Sequence, residues 1–175
     1  NPVGGAGASL VGTSADPLGT GSVSTFTETS AVGVYEATVS STVPGAKTIE
    51  VTYGGSTVPV VVDGNDQALF VAGPVDLTHT STSFVVTEGT VTVGESHTVT
   101  ATLVDSYGNA VQDAADQLAA STLQALGSGV FTAFTETSPG VYESMVTSSV
   151  AGEKTVAVHH GDTAVASTPV IVRAV

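Results

Sequence analysis

The sequence predicts an all-β protein made of two tandem antiparallel β-sandwich units, and an internal repeat is the main reason. The pentapeptide FTETS occurs at residues 26–30 and again at 134–138, and residues 35–51 and 142–158 are identical at nine of seventeen positions without a gap. Such self-similarity indicates one structural unit of about 107 residues that occurs twice. A length of about 100 residues is typical of one β-sandwich.

Composition and periodicity also favour strands. Hydrophobic residues make up 41% of the chain, which is enough to form folded cores. Val and Thr are abundant, and their branched side chains fit a pleated sheet. Apolar and polar residues alternate with period 2, most clearly at 97–103, where Val99, Ala101 and Leu103 share one face and threonines the other.

The elements can be predicted in chain order. The first copy has strands at 35–39, 47–53 and 58–62, with a turn at Gly54-Gly55. The second copy has a strand at 97–103, a turn in VDSYGNAV, and a loop with one short helical turn at most over 112–126. Strands at 142–146, 154–158 and 165–172 follow, the last two joined by a turn at HHGD. Short strands without intervening helices indicate antiparallel sheets.

The first unit is predicted to be incomplete. Aligning the copies places Asn1-Pro2-Val3 on Asn109-Ala110-Val111 and Leu10 on Leu118, so residues 75–108 have no counterpart. We therefore expect a first unit at 1–63 that lacks its first two strands, a linker at 64–74 and a complete unit at 75–175. Such a unit exposes an apolar face and unpaired strand edges.

Three explanations of the missing strands remain open at this stage. The chain is a piece of a longer array, or strands of a neighbouring molecule fill the gap, or residues 75–108 fold back onto the first unit. Connection to the nearest following strands is the ordinary outcome and argues against the third.

Charge excludes several classes of partner. Three basic residues stand against sixteen acidic ones, for a net charge of −13, so nucleic acid and anionic membranes would be repelled. The chain has no Cys, which excludes disulfides and thiolate metal sites. It also contains no run of about 20 apolar residues, so direct membrane insertion is not predicted for it.

Two sets of motifs carry a resemblance to known families. The stretch Leu103 to Val111, LVDSYGNAV, resembles the D-x-x-G-N-P-V turn of bacterial Ig-like repeats of the invasin and intimin kind, and the Pro of that motif is present in the first copy as Pro2. The stretches GVYEATV with PGAKTIEV, and GVYESMV with AGEKTVAV, are similar to the closing strands of filamin-type Ig domains.

The resemblance implies tandem Ig-like domains that are not enzymes. It further implies structural or spacer repeats of an extracellular protein on a bacterial cell surface, which present an adhesive tip or contribute to adhesion. The alternative is a self-assembling filament or surface-layer subunit, joined by strand complementation of the incomplete first unit. Expected partners are then proteins, or further copies of the chain, that pair with exposed strand edges.

A calcium site is one candidate for chemistry. Asp63, Asn65 and Asp66 form a short acidic loop, and Ca²⁺ prefers several hard oxygen ligands on a flexible loop. These residues supply too few ligands alone, so Glu88 or Asp76 would have to join them. A metal-free Asx turn explains the same residues equally simply. No other cofactor is predicted.

Lys47 and Lys154 are the second candidate. They occupy equivalent positions and share the parity of the predicted core residues of their strands. A lysine there extends its ammonium group to solvent at the sheet end or pairs with a carboxylate. The more specific hypothesis is an intramolecular isopeptide cross-link, with Asn1, Asn109 or Asp105 as candidate partners.

The repeated carboxylates Glu28 and Glu136, within FTETS, and Glu36 and Glu143, after the repeated tyrosines, are expected to be solvated surface charges. An enzyme needs one reaction centre rather than one in each unit. No pattern of nucleophile, base and acid is present, and catalysis is not predicted.

Overall fold

The computed structural model describes residues 2–15, 21–62, 67–87, 90–122 and 129–174. The chain divides into two compact units, Asn1–Val71 and Ala72–Val175. The all-β prediction is confirmed, since the described helices are two three-residue 3₁₀ turns, Gly7–Ser9 and Ala115–Gln117. Neither of them is long or apolar enough to cross a membrane.

The first unit is built around one long strand that pairs on both sides. Its strands are β1 (Leu10–Ala15), β2 (Ser22–Val23), β3 (Thr27–Glu28), β4 (Tyr35–Glu36), β5 (Val39–Ser40), β6 (Gly45–Tyr53), β7 (Ser56–Val58) and β8 (Gln67–Phe70). β6 pairs antiparallel with β1 on one edge and with both β7 and β8 on the other. Two short pairs, β2–β5 and β3–β4, complete the unit.

The second unit is a sandwich of two larger sheets. Its strands are β9 (Ser83–Val86), β10 (Thr90–Thr92), β11 (Ser96–Thr102), β12 (Leu118–Thr122), β13 (Val130–Phe131), β14 (Thr135–Ser138), β15 (Val141–Thr147), β16 (Gly152–His160) and β17 (Thr163–Arg173). One sheet has the order β13-β15-β11-β9, with β14 also on β15, and the other has the order β10-β17-β16-β12. All pairs are antiparallel except β10 with β17, which is parallel.

The core of the second unit lies between these sheets. Val99, Ala101 and Leu103 are fully buried, as their parity predicts, and they pack with Val156 and Val158 from the opposite sheet. The intervening threonines of β11 remain partly exposed. The period-2 alternation along this antiparallel strand therefore predicted its core residues correctly.

The two units match strand by strand in one sheet, with one interruption. β1 and β6 occupy the places of β12 and β16, and β7 with β8 occupies the place of β17. β17 runs unbroken, but the connection between β7 and β8 is six residues longer than the matching stretch of β17. Residues 59–62, the extended loop, are the described part of this connection.

Three local predictions differ from the structure. The loop predicted over 112–126 contains β12, because pairing with β16 outweighs the weak strand propensity of its alanines. The strand predicted at 58–62 ends at Val58, where Pro59 begins the extended loop. Gln67–Phe70 fall within the predicted linker, and they form the last strand of the first unit.

Candidate functional site

A tyrosine hydroxyl fixes the same loop in each unit. The Tyr142 hydroxyl donates a hydrogen bond to the carbonyl oxygen of Val111 at 2.8 Å and accepts one from the N–H of Ala114 at 3.0 Å. Tyr35 makes the same two bonds, to the carbonyl of Val3 and from the N–H of Ala6, each at 2.7 Å. Burial raises the pKa of the Tyr142 hydroxyl, which keeps it a donor.

The glutamate of FTETS is a second fixed contact: it lies at the surface, as expected, and also accepts hydrogen bonds from backbone N–H groups. The Glu28 carboxylate accepts hydrogen bonds from the N–H groups of Gly5 and Gly33, both at 2.8 Å. Glu136 accepts the matching bonds from Asp113 at 3.1 Å and Gly140 at 2.8 Å. The bond from Gly33, followed by that from Gly5, lowers the pKa of Glu28. In each unit the glutamate of FTETS thus joins two loops.

The turn after β11 is organised by one buried carboxylate. Asp105 is only 2% exposed, and its oxygens accept hydrogen bonds at 2.9 Å from the backbone N–H groups of Gly73, Tyr107 and Asn109 and from the Asn109 side chain. Burial alone would raise the pKa of this carboxyl, but these hydrogen bonds outweigh it and lower the pKa to about 2. Asp105 thereby connects the start of the second unit to the turn.

The two lysines that are candidates for a cross-link, Lys47 and Lys154, lie in the interior of their units. Lys47 is fully buried and Lys154 is 4% exposed. The Lys47 ammonium group donates to the carbonyl oxygen of Pro44 at 3.5 Å. Among the cross-link candidates, Asp105 and Asn109 bond to each other in the turn, and Asn1 lies outside the described residues. The isopeptide bond stays a prediction.

The calcium prediction falls largely outside the described residues. Asp63, Asn65, Asp66 and Glu88 belong to segments that the structure does not describe. Asp76 is described, and its carboxylate accepts hydrogen bonds from the backbone N–H and the hydroxyl of Thr78, at 2.8 and 2.6 Å. In the part of the chain that is described, no three acidic or histidine side chains converge on a common point. Calcium binding stays a prediction.

The first unit has an open apolar face where the second unit is closed. The residues that point inward from β15 and from the preceding FTETS segment are buried in the second unit: Phe134, Tyr142, Ser144 and Val146. Their counterparts in the first unit are only partly buried: Phe26, Tyr35, Ala37 and Val39. In the second unit β9 and β11 continue the sheet beyond β15, and among the described residues of the first unit no strand takes their place.

A cleft opens at this face. It has a volume of about 520 Å³ and lies between β4–β5 and the β6 sheet, with Tyr35, Val39, Ile49 and Ala68 in its walls. Val60 and Val62, from the extended loop, pack partly against the same core. Most of the side chains that line the cleft are apolar, and Glu36 is also among them.

The order and pairing of the strands are those of an Ig-like β-sandwich. No protein-family model and no curated protein matches the chain. Solved structures match over nearly the whole length of this chain. Their sequence identity to it is 22–23%, so the likeness is one of fold alone.

Three of those structures come from bacterial proteins. The FdeC adhesin of Escherichia coli has a TM-score of 0.64 at 23% identity, over 97% of this chain and 54% of that chain. InvD of Yersinia pseudotuberculosis has a TM-score of 0.67 at 23% identity, over 100% and 49%. Invasin, an integrin-binding bacterial protein, has a TM-score of 0.73 at 22% identity, over 99% and 34%. The chain thus spans about half, or less, of the length of these proteins.

Proposed function

We propose that this chain is a non-enzymatic spacer segment of an extracellular bacterial surface protein, which presents an adhesive part or contributes to adhesion. The observation that carries the proposal is the repeated pair of loop contacts. Tyr35 and Glu28 in the first unit, and Tyr142 and Glu136 in the second, hold equivalent loops. The residues that the repeat preserves stabilise the sandwich and do not surround a reaction centre.

The structural neighbours support the same function. FdeC is described as an adhesin and invasin as integrin-binding, and both contain regions that resemble this chain in fold. The net charge of −13 makes adsorption to anionic surfaces unfavourable, which suits a segment that has to remain extended in solvent. Protein partners, rather than nucleic acid or lipid, fit this surface.

A replacement experiment tests the spacer function. Two Ig-like repeats of a bacterial adhesin are exchanged for this chain, and adhesion through the adhesin's own tip is measured beside binding of the purified chain to the same cells. We expect adhesion to be retained and the purified chain to bind poorly. Loss of adhesion at normal surface expression would contradict the spacer function, and strong binding by the purified chain would show that it is itself the adhesive part.

The second candidate is a subunit of a filament or surface layer, joined through the open edge of the first unit. The partly buried face of Tyr35, Ala37 and Val39 favours it, since an uncovered strand edge pairs readily with another chain. The measurement is the solution mass of the full chain by light scattering across a concentration series. Open-ended polymers would support assembly, and a monomer at all concentrations would rule it out.

A further inference from the structure

One buried side chain of the second unit contacts the backbone of both sheets. His97, on β11, is only 3% exposed, and each of its ring nitrogens faces a carbonyl oxygen. Nδ1 lies 3.0 Å from the carbonyl oxygen of Thr87, which directly follows β9, and Nε2 lies 3.4 Å from that of Ile171 in β17. Since β9 and β17 belong to different sheets, the ring of His97 joins the two sheets.

The two carbonyls mark the place where the chain crosses from one sheet to the other. Thr87 is still held on the first sheet, because its N–H and its hydroxyl both donate to the carbonyl oxygen of Thr98, at 2.8 and 3.2 Å. At Thr90 the chain has entered β10 on the second sheet, and Thr90 lies opposite Ile171. His97 therefore contacts the chain just before the crossing and also the residue that receives it on the other side.

The imidazole is the donor in both contacts, because a carbonyl oxygen can only accept. A neutral ring carries one N–H and donates to one of the two oxygens, and a protonated ring donates to both. Buried carbonyl groups are normally hydrogen-bonded, and one that loses its donor is destabilising. An apolar side chain of similar size would fill the same space and leave both oxygens without this partner.

The strand that follows the crossing, β10, has a short pairing at the edge of its sheet. It pairs with residues 171–173 of β17, and one further bond, from the N–H of Val93 to the carbonyl oxygen of Arg173 at 2.8 Å, extends this ladder. On its other side β17 pairs with all nine residues of β16. A segment with few contacts opens at a lower free energy than one with many, so β10 is the part of this sheet that opens most easily.

We propose that His97 is a latch that holds β10 on β17. Its ring ties the chain before β10 to the backbone of the strand that β10 pairs with, and without these contacts β10 detaches while the rest of the second unit stays folded. Release of β10 uncovers the edge of β17 at residues 171–173, and an uncovered edge is able to pair with another strand. His97 thus controls whether the second unit opens this edge. The latch goes beyond the two candidate functions and depends on neither.

Native-state amide exchange of the full chain, measured residue by residue by NMR, tests the proposal. Exchange of the Val93 amide reports release of β10, because its hydrogen bond extends the β10–β17 ladder, and amides of β15 report unfolding of the whole unit. In the unmodified chain we expect exchange of Val93 to be nearly independent of urea at low concentration, since a local opening exposes little surface. Exchange of the β15 amides should rise with urea.

Variants of His97 show whether the ring controls this opening. His97→Leu removes both ring nitrogens and should speed exchange of Val93 at least about tenfold, which corresponds to about 1.4 kcal/mol of opening free energy. His97→Asn keeps an amide nitrogen close to the position of Nδ1, and His97→Gln keeps one close to that of Nε2. Each should exchange more slowly at Val93 than His97→Leu, and the variant closer to the wild-type rate identifies the stronger contact.

Val158→Ala is the matched control. Val158 is fully buried on β16, which β17 separates from β10 in the sheet. Its truncation destabilises the whole unit and leaves the contacts of His97 in place. It should therefore speed exchange of the β15 amides and keep Val93 within about threefold of the unmodified chain.

Three results would overturn the proposal. If exchange of Val93 depends on urea as that of the β15 amides does, β10 is released only when the whole unit unfolds. If His97→Leu leaves Val93 within about threefold of the unmodified chain, the ring does not hold β10. If Val158→Ala speeds exchange of Val93 as much as His97→Leu does, the effect is one of overall stability. The urea dependence is measured on the unmodified chain, so it decides the question even if a variant fails to fold.

Discussion

The carboxylate of Asp105 is expected to provide a pH-dependent part of the stability of the second unit. Its pKa is about 2 in the folded chain, against an ordinary value of 3.8. A folded-state pKa that is depressed contributes stability above the unfolded pKa, and this stability is lost as the pH falls through the folded value. The difference corresponds to about 2 kcal/mol that is present above pH ~5 and nearly gone at pH ~2.

Replacement of Asp105 by Asn tests this magnitude. The amide removes the charge and turns one oxygen into a donor that faces the N–H group of Gly73, or those of Tyr107 and Asn109. We expect Asp105→Asn to lower the free energy of unfolding at pH 7 by about 2–3 kcal/mol. The difference in the free energy of unfolding between wild type and Asp105→Asn should narrow by about 2 kcal/mol between pH 5 and pH 2.

The assay is urea unfolding of the full chain. Hydrogen exchange of peptides from β15 and β16 monitors the transition, so that only unfolding of the second unit is measured. With slopes of about 1–3 kcal/mol per molar urea, the midpoint should fall by about 0.7–3 M at pH 7. Asp162→Asn, in the exposed turn between β16 and β17, is the matched control and should change stability by less than about 0.5 kcal/mol. If the difference in the free energy of unfolding between wild type and Asp105→Asn stays constant from pH 5 to pH 2, the charge of Asp105 does not stabilise the second unit.

Three further predictions concern the loops. Tyr142→Phe leaves a buried donor and acceptor without partners, and should destabilise the second unit by about 2 kcal/mol in the same urea assay; no change would mean that water replaces the hydroxyl. Glu28→Gln should speed amide exchange of Gly5 and Gly33 at pH 7. The pKa of Glu28 is lowered in the folded chain, so its carboxylate becomes protonated only below pH 4.5, and there the difference in exchange rate between wild type and variant should shrink. Asp113 has φ +56°, a conformation that Gly5 supplies at the matching position, so Asp113→Gly should stabilise the second unit by about 0.5 kcal/mol; a lower urea midpoint would contradict this.

Sequence reasoning located the core because the strands are half-buried and antiparallel. In such strands alternate residues face solvent, so Val99, Ala101 and Leu103 separate from the threonines in the sequence itself. Turns were found for a similar reason, since Gly54 and Gly55 both adopt positive φ in the hairpin between β6 and β7. In both cases the information lies within a few residues of chain.

Features that depend on distant partners were missed. Glu28 bonds to Gly5, 23 residues away, and no local pattern encodes that contact. The available signal was the repeat, because Glu28 and Glu136 recur together with Gly33 and Gly140. β12 was missed for a related reason, since its alanines become a strand through pairing with β16 and not through their own propensity. Local propensity is overridden where an edge strand gains a ladder of hydrogen bonds.

The parallel pairing of β10 with β17 has a mechanical consequence. The chain passes through β10 near the beginning of the second unit and leaves through β17, and these strands run in the same direction with Thr90 opposite Ile171 and Thr92 opposite Arg173. A tensile force on the two ends of this unit pulls the strands in opposite senses along their length. The interstrand hydrogen bonds, with that from the N–H of Val93 to the carbonyl of Arg173 at 2.8 Å, then bear the load together in shear. A hairpin such as β16–β17, pulled at its open end, would instead break one bond at a time, so a pairing of only three residues is the one arranged to resist stretching.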